Sequence, residues 1–180
     1  MSDPLEVFVR LTGASGPCAG WMPTYAQWLA PHVPEITDRF YERLLAEPET
    51  SQILNGRVDA LKATHNAWLR DLPGGHYDDA FYTRQKQIGK THVIAKIPPL
   101  FVAASFSILR ALIFQRLQSE LENREVEDQG HKCTRALGRL LDTCQFLIDQ
   151  AYEEDRMERL SSASGLSRPL LENLISLRQR

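Results

Sequence analysis

The segment Ile88–His92 contains the residue with the clearest chemical potential in this chain. Helical spacing places Phe81, Ile88 and His92 on one apolar face, where a neutral imidazole can ligate a metal ion at the wall of a hydrophobic slot. Gly89 has no side chain, so a flat cofactor could approach the helix backbone there. The segment is typical of an axial haem ligand. It is also compatible with a core histidine whose ring hydrogen-bonds to the backbone.

The composition of the 180 residues indicates one globular domain, with 43% hydrophobic and 24% charged residues. A formal net charge of -2 gives no basic excess to neutralise phosphates, so we expect neither a nucleic-acid partner nor a membrane partner. The N-terminus lacks a basic region followed by an apolar segment, which predicts a cytoplasmic protein. Cys18, Cys133 and Cys144 lack the spacing of a metal or redox motif, so we expect buried or idle thiols.

Helix-period patterns separated by proline and glycine predict about seven helices and no strand. Pro73-Gly74-Gly75 ends one pattern, and Asp78 and Asp79 occupy the first turn of the next helix, where carboxylates favour the positive end of the helix dipole. That helix carries His92, and Pro98-Pro99 begins the following one. A histidine late in the helix before the longest apolar helix favours globin-like packing around a haem slot.

Two hydrophobic patterns predict a symmetric homodimer. From Leu100 to Leu117 the sequence is apolar on nearly every side, whereas a surface helix shows one apolar stripe, so this helix needs two buried neighbours. We expect residues 100–117 and 133–152 to form the interface, since together they would expose more apolar area than a monomer leaves in water. The second range has apolar residues at alternating steps of four and three, as in a coiled-coil seam: Cys133, Leu137, Leu140, Cys144, Leu147 and Ala151.

Four segments, taken in order, resemble the sensor globin domain of globin-coupled sensors. They are Asp38-Arg39-Phe40-Tyr41-Glu42-Arg43-Leu44-Leu45 with Glu47-Pro48-Glu49, then Leu61-Lys62-Ala63-Thr64-His65-Asn66-Ala67-Trp68-Leu69, then Gly75-His76-Tyr77-Asp78-Asp79, and the run that ends at His92. The similarity covers about Pro34 to Leu117. It implies an all-α globin-like fold with extra N-terminal helices and a long C-terminal helix that forms a dimeric four-helix bundle.

The resemblance also implies a division of the chain. Residues 1–158 would be the sensor globin domain, and residues 159–180 would be a linker and a short C-terminal helix towards a missing or truncated transmitter. The pattern within these parts predicts a charged connection from Glu120 to Lys132 and a flexible linker from Ser161 to Gly165. A last amphipathic helix is expected from Pro169 to Leu177.

The resemblance implies that His92 is the proximal ligand of haem b and that Tyr41 donates a hydrogen bond to bound oxygen. Spacing alone would also allow Tyr41 to be an ordinary core tyrosine. Thr64 would add a second polar group above the haem, or would face solvent or bond to the backbone. His65 could approach the distal pocket, ligate the iron when no gas is present, or hydrogen-bond at the pocket edge or in the core. The expected pocket wall, which could in part be core behind it, consists of Leu61, Phe81, Ile97, Phe101 and Phe106.

We therefore expect a haem-based oxygen sensor module that also binds CO and NO and that signals through its dimer interface, with no enzymatic activity of its own. Two alternatives remain open. One is a haem-free sensor globin that acts as a protein-interaction or lipid-binding module. The other is a haem enzyme such as a nitric oxide dioxygenase, which would need a reductase that this sequence does not contain. No side chains are spaced as a nucleophile with its base.

Overall fold

The computed structural model describes residues 3–13, 22–74, 76–124 and 127–177. Within these ranges the chain forms only helices, which confirms the all-α prediction. Their bounds are α1 Pro4–Thr12, α2 Met22–Leu29, α3 Val33–Ala46, α4 Pro48–Leu54, α5 Val58–Asp71, α6 Asp79–Ile94, α7 Pro99–Arg124, α8 Glu127–Ser164 and α9 Arg168–Leu177. A 3-10 turn, Ala30–His32, joins α2 to α3. Cys18 and Gly75 lie outside the described residues, as does the Cys133 side chain.

The helix that carries His92 is bounded at both ends by local hydrogen bonds. At its start, the Asp78 carboxylate accepts a hydrogen bond of 2.9 Å from the Phe81 N–H, as an N-cap does. At its end, the Lys96 N–H bonds to the Val93 carbonyl and the Ile97 N–H bonds to the His92 carbonyl, both at 3.0 Å. This is a Schellman ending, and it places Lys96 in the left-handed region at a φ of 55°. The chain therefore turns at Lys96, one helical turn after His92.

Helix α6 crosses α8 very closely at Gly89. A Cβ atom at position 89 would lie 2.8 Å from the Ala151 Cβ and 2.9 Å from the Ile148 Cα. The prediction that Gly89 admits a flat cofactor is therefore wrong, because the space beside this glycine is occupied by the backbone of α8. The missing side chain serves helix packing, and it joins the His92 helix to the longest helix of the fold.

Two helices of the C-terminal half, α7 and α8, are longer than the sequence patterns predict. Helix α7 continues to Arg124 and α8 begins at Glu127, so most of the predicted charged connection is helical. Glutamate, glutamine, lysine and arginine all have high helix propensity, and a charged run is compatible with an exposed helix. The predicted flexible linker is likewise helical up to Ser164, and the chain turns only at Gly165, whose φ is 71°.

The seam on α8 is part of the core of this chain and is not an exposed surface. Its described members, Leu137, Leu140, Cys144, Leu147 and Ala151, are between 0% and 6% exposed. Helix α8 packs against both α6 and α7, so these two helices cover the seam. The expectation that the seam residues form a subunit interface is therefore wrong. The heptad-like spacing reflects helix packing within one domain.

Helix α7 buries one face and exposes the other. Val102, Phe106, Ile113 and Leu117 are at most 4% exposed and belong to the core, whereas Leu100 on the outer side is 69% exposed. Between Pro99 and Glu122 the helix is long and apolar enough to cross a membrane by length and composition, with a mean hydropathy of 1.6. It packs against α2, α3 and α8, which cover its buried face.

Candidate ligand-binding cavity

A cavity of about 240 Å³ lies between helices α3 to α8, and its wall is almost entirely apolar. Seven of the eight predicted site residues line it: Tyr41, Leu61, Thr64, His65, His92, Ile97 and Phe106. Phe101, which was predicted as a wall residue, lines it as well. Other side chains complete the wall, among them Phe40, Leu44, Trp68, Val102, Leu109 and Ile148. Three of the four sequence segments that resemble a sensor globin thus contribute side chains to one cavity.

His92 is held in one ring orientation by its own helix. Its Nδ1 lies 2.8 Å from the Ile88 carbonyl oxygen, one turn earlier. A carbonyl oxygen only accepts, so the neutral ring carries its proton on Nδ1 and donates it there. The lone pair therefore sits on Nε2, the nitrogen left for a ligand. In metal-bound histidines, a hydrogen bond from the ring nitrogen that does not bind the metal likewise fixes the tautomer and increases the basicity of the other nitrogen.

Tyr41 brings a hydroxyl group to the cavity without a protein partner. The residue is 6% exposed, and no group in the described part of the chain hydrogen-bonds to this hydroxyl. Burial raises the pKa of Tyr41 to about 12, because the phenolate would lose its hydration. The hydroxyl therefore keeps its proton at neutral pH and can donate a hydrogen bond to whatever enters the cavity.

His65 is a second polar residue of the wall. Its Nδ1 lies 3.0 Å from the Thr37 hydroxyl oxygen, while its Nε2 is buried and has no hydrogen-bond partner. The ring stacks on Phe40 with centroids 4.7 Å apart and meets the edge of Tyr41 at 5.8 Å. Burial lowers the pKa of His65 to about 4, so the imidazole is neutral at pH 7.

Thr64 lies at the cavity but offers it no free hydrogen. Its side chain is largely exposed, and its hydroxyl donates to the Ala60 carbonyl at 3.1 Å. This geometry supports the backbone-bonded alternative for Thr64 over a second polar group above a haem.

Phe81 is not part of the cavity wall, so the prediction of Phe81 as a wall residue is wrong. It is 1% exposed and lies in the core, edge-on to Tyr77 at 5.2 Å and to Tyr82 at 5.7 Å. It lies near the start of α6, whereas the cavity contacts this helix only near its end, at Ile88 and His92. Helical spacing correctly placed Phe81 on a buried face of α6. That face packs against aromatic side chains near the start of the helix and lines the cavity only near its end.

Two residues that sequence patterns did not single out shape the site. Thr37 is fully buried and lies one turn before Tyr41 on α3, where it bonds to His65. Gln85 is 1% exposed on α6 and accepts a hydrogen bond of 3.0 Å from the Trp68 indole N–H. Each is a polar residue within an otherwise apolar helical stripe, and this pattern could have indicated a buried hydrogen bond at both positions.

The residues present fit a haem group better than a bare metal ion. Within the described residues, no cluster of three or more metal-ligating side chains exists, so a metal ion at His92 must bring most of its ligands with it. A porphyrin does so, and it needs one axial imidazole and an apolar surround. The unpartnered polar atoms of Tyr41 and His65 at the same cavity point to a small polar ligand beside it.

Comparison with known proteins places this geometry in a family. The sequence profile of the protoglobin family matches residues 19–158. Among solved structures, the globin domain of the Geobacter sulfurreducens globin-coupled sensor is similar, with a TM-score of 0.74 and 21% sequence identity over 82% of this chain and 96% of that chain. A comparison with curated proteins gave no match. The predicted globin-like fold and the resemblance to a sensor globin domain are thereby confirmed, and the chain belongs to the protoglobin family.

Proposed function

We propose that this domain binds haem b through His92 and takes up O2, and also CO and NO, on the side of Tyr41. The protoglobin family implies a haem protein, and the cavity is the part of the described chain that fits one. One observation carries the proposal: the Ile88 carbonyl fixes the His92 ring so that Nε2 is free at an apolar wall, and a partnerless tyrosine hydroxyl shares the same cavity.

The residues of the cavity account for selectivity between gases. Haem iron supplies the site that binds a diatomic molecule and polarises it. The Tyr41 hydroxyl donates a hydrogen bond to an O2 ligand, which gains partial negative charge, far more strongly than to CO, which gains little. The apolar wall excludes water and lowers the local dielectric, so this hydrogen bond is stronger than the same bond in water. The Tyr41 hydroxyl therefore favours O2 over CO.

We further propose that the domain is a ligand-binding sensor module. The close crossing at Gly89 supports this role, because any shift of α6 at His92 must move α8 or be resisted by it. Helix α7 carries an outward stripe of small residues beside Leu100, namely Ala103, Ala104, Ser107 and Ala111. Small side chains allow two helices to approach closely, so this stripe is the surface we propose for a homodimer.

Absorption spectroscopy of the reduced protein tests the proposed function. Haem added to the protein should give a Soret band at one haem per chain, and this band should shift reversibly on addition of O2 and separately of CO. A protein that binds no haem would favour the haem-free interaction module. Consumption of nitric oxide and O2 over many turnovers with an electron donor would favour the enzyme.

A further inference from the structure

The unpartnered Nε2 of His65 is a polar atom that the folded chain leaves unsatisfied. It is buried, and its residue lines the cavity next to Tyr41. Buried polar groups in proteins nearly always have a partner, and one without a partner in the protein points to a bound molecule. What this partner is depends on whether Nε2 carries a proton or a lone pair.

The hydrogen bond with Thr37 indicates which nitrogen of His65 carries the proton, because the Thr37 hydroxyl has no other hydrogen-bond partner among the described residues. Five other helical threonines donate their hydroxyl hydrogen to the carbonyl one turn earlier: Thr12 to Phe8, Thr64 to Ala60, Thr91 to Gln87, Thr134 to Gly130 and Thr143 to Arg139. Within the described chain, the Thr37 hydroxyl bonds only to His65 Nδ1, and Thr37 is 0% exposed. Bulk water therefore does not reach this hydroxyl.

Counting donors and acceptors separates the two tautomers of His65. If Thr37 donates to Nδ1, the proton of the neutral ring is on Nε2, and that N–H is the single donor left unsatisfied. If Nδ1 instead donates to Thr37, the buried Thr37 hydroxyl proton and the Nε2 lone pair are both left without partners. Each unsatisfied buried group destabilises the fold, so the first arrangement is favoured.

We propose that Thr37 holds His65 as the Nε2–H tautomer, which makes His65 a second hydrogen-bond donor to the bound gas beside Tyr41 and not a ligand of the iron. The inference rests on the proposed function, because it names the ligand chemistry of the same cavity. The low pKa of His65 agrees with a neutral ring, and its stacking between Phe40 and Trp68 holds the ring plane. The class of ligand favoured by two donors is a diatomic molecule that gains negative charge, which is O2 rather than CO.

The first measurement is the spectrum of the reduced, gas-free protein with haem. We expect a five-coordinate, high-spin form, because His92 is then the single axial ligand. A six-coordinate, low-spin spectrum in the unaltered protein that His65→Leu converts to high spin would overturn the proposal, since Nε2 would then be an iron ligand.

The second measurement is the rate of gas release in variants. His65→Leu should speed O2 release by about tenfold or more and leave CO release within about twofold, since a hydrogen bond to a charged acceptor is lost. Thr37→Val removes the hydroxyl at nearly the same volume, so it should speed O2 release severalfold and add a low-spin fraction as His65 changes tautomer. Thr37→Ser should restore both properties.

Thr143→Val is the matched control, because Thr143 is also a buried helical threonine but bonds to its own helix. It should leave the spectrum and both gas-release rates unchanged. Unchanged O2 release in His65→Leu, with haem still bound, would overturn the proposal while leaving the proposed function intact. Absence of haem from the unaltered protein would instead overturn the proposed function.

Discussion

At the scale of single residues, the site is built from side chains whose hydrogen bonds were only partly visible in the sequence. The resemblance to a sensor globin implied that His92 and Tyr41 share a pocket that His65 could approach, and all three line one cavity. The bonds that orient them were not predictable in the same way. The His92–Ile88 bond is local and follows from the helix, whereas the Thr37–His65 bond joins residues 28 positions apart and depends on the packing of α3 against α5.

The Tyr41 hydroxyl gives the first residue-scale prediction. Tyr41→Phe should leave haem content and CO release nearly unchanged but speed O2 release and autoxidation. The lost hydrogen bond to a partly charged ligand is worth about 1.5 to 3 kcal/mol, which corresponds to about tenfold to a hundredfold in dissociation rate. Stopped-flow measurement of O2 release checks it. Tyr82→Phe is a control, since Tyr82 lies against Phe81 and not on the cavity wall. An O2 release rate equal to that of the unaltered protein would exclude Tyr41 as the donor.

His65 gives a second prediction, on the pH dependence of stability. Its pKa is lowered from 6.5 to about 4 in the folded protein, so between these values the unfolded chain binds the extra proton. The free energy of unfolding of the haem-free protein should therefore fall as the pH is lowered from about 6.5 towards 4. His65→Gln should flatten this part of the curve, measured by urea unfolding at several pH values, whereas His76→Gln, at an exposed position, should not. Parallel curves for His65→Gln and the unaltered protein would contradict the assignment.

At the scale of helices, the type of each element was predicted well, and its neighbours were predicted poorly. Proline and glycine marked the ends of α5 and α6 because their effects on the backbone are local. A hydrophobic pattern shows that a face is buried but does not show what covers it. For this reason Leu140 and Leu147 were assigned to a subunit interface when α6 and α7 cover them, and Gly89 was assigned to a cofactor when α8 crosses there.

The crossing at Gly89 leads to a prediction about stability. Gly89→Ala should lower the free energy of unfolding by about 1 to 3 kcal/mol, because the new methyl group would overlap Ala151 and the backbone at Ile148. An alanine in a helix that met no obstacle would raise it instead. Chemical denaturation followed by circular dichroism measures the change. Lys90→Ala, at the exposed next position, should stay within about 0.5 kcal/mol. A stabilised Gly89→Ala variant would show that α6 and α8 are not in this contact.

At the scale of the whole molecule, the buried seam moves the proposed dimer surface to the outer face of α7. Glutamate at Leu140 or Leu147 would now be expected to unfold the domain, since both side chains lie in its core. Ala104 and Ala111 are exposed on the outer stripe, at positions seven residues apart. The family resemblance implied a dimer, but only the packed chain shows which surfaces it leaves available.

Sedimentation tests this surface. The unaltered protein should sediment as a dimer at micromolar concentration, and Ala104→Glu combined with Ala111→Glu should give a monomer that still binds haem, because like charges would meet near the two-fold axis. Ala67→Glu, at an exposed position on α5, should leave the dimer intact. A monomer in the unaltered protein, or a dimer that persists in the double variant, would exclude this interface.

The central claim is that His92 holds a haem group in this cavity, and haem titration of His92→Ala tests it most directly. The unaltered protein and the control His76→Ala should each bind one haem per chain with a sharp Soret band. His92→Ala should keep its helical circular dichroism but lose stable haem binding, because His92 is the proposed axial ligand of the iron. Added imidazole, which can enter the space left by the side chain, should restore part of the binding. Full haem occupancy with an unchanged reduced spectrum in His92→Ala would contradict the assignment.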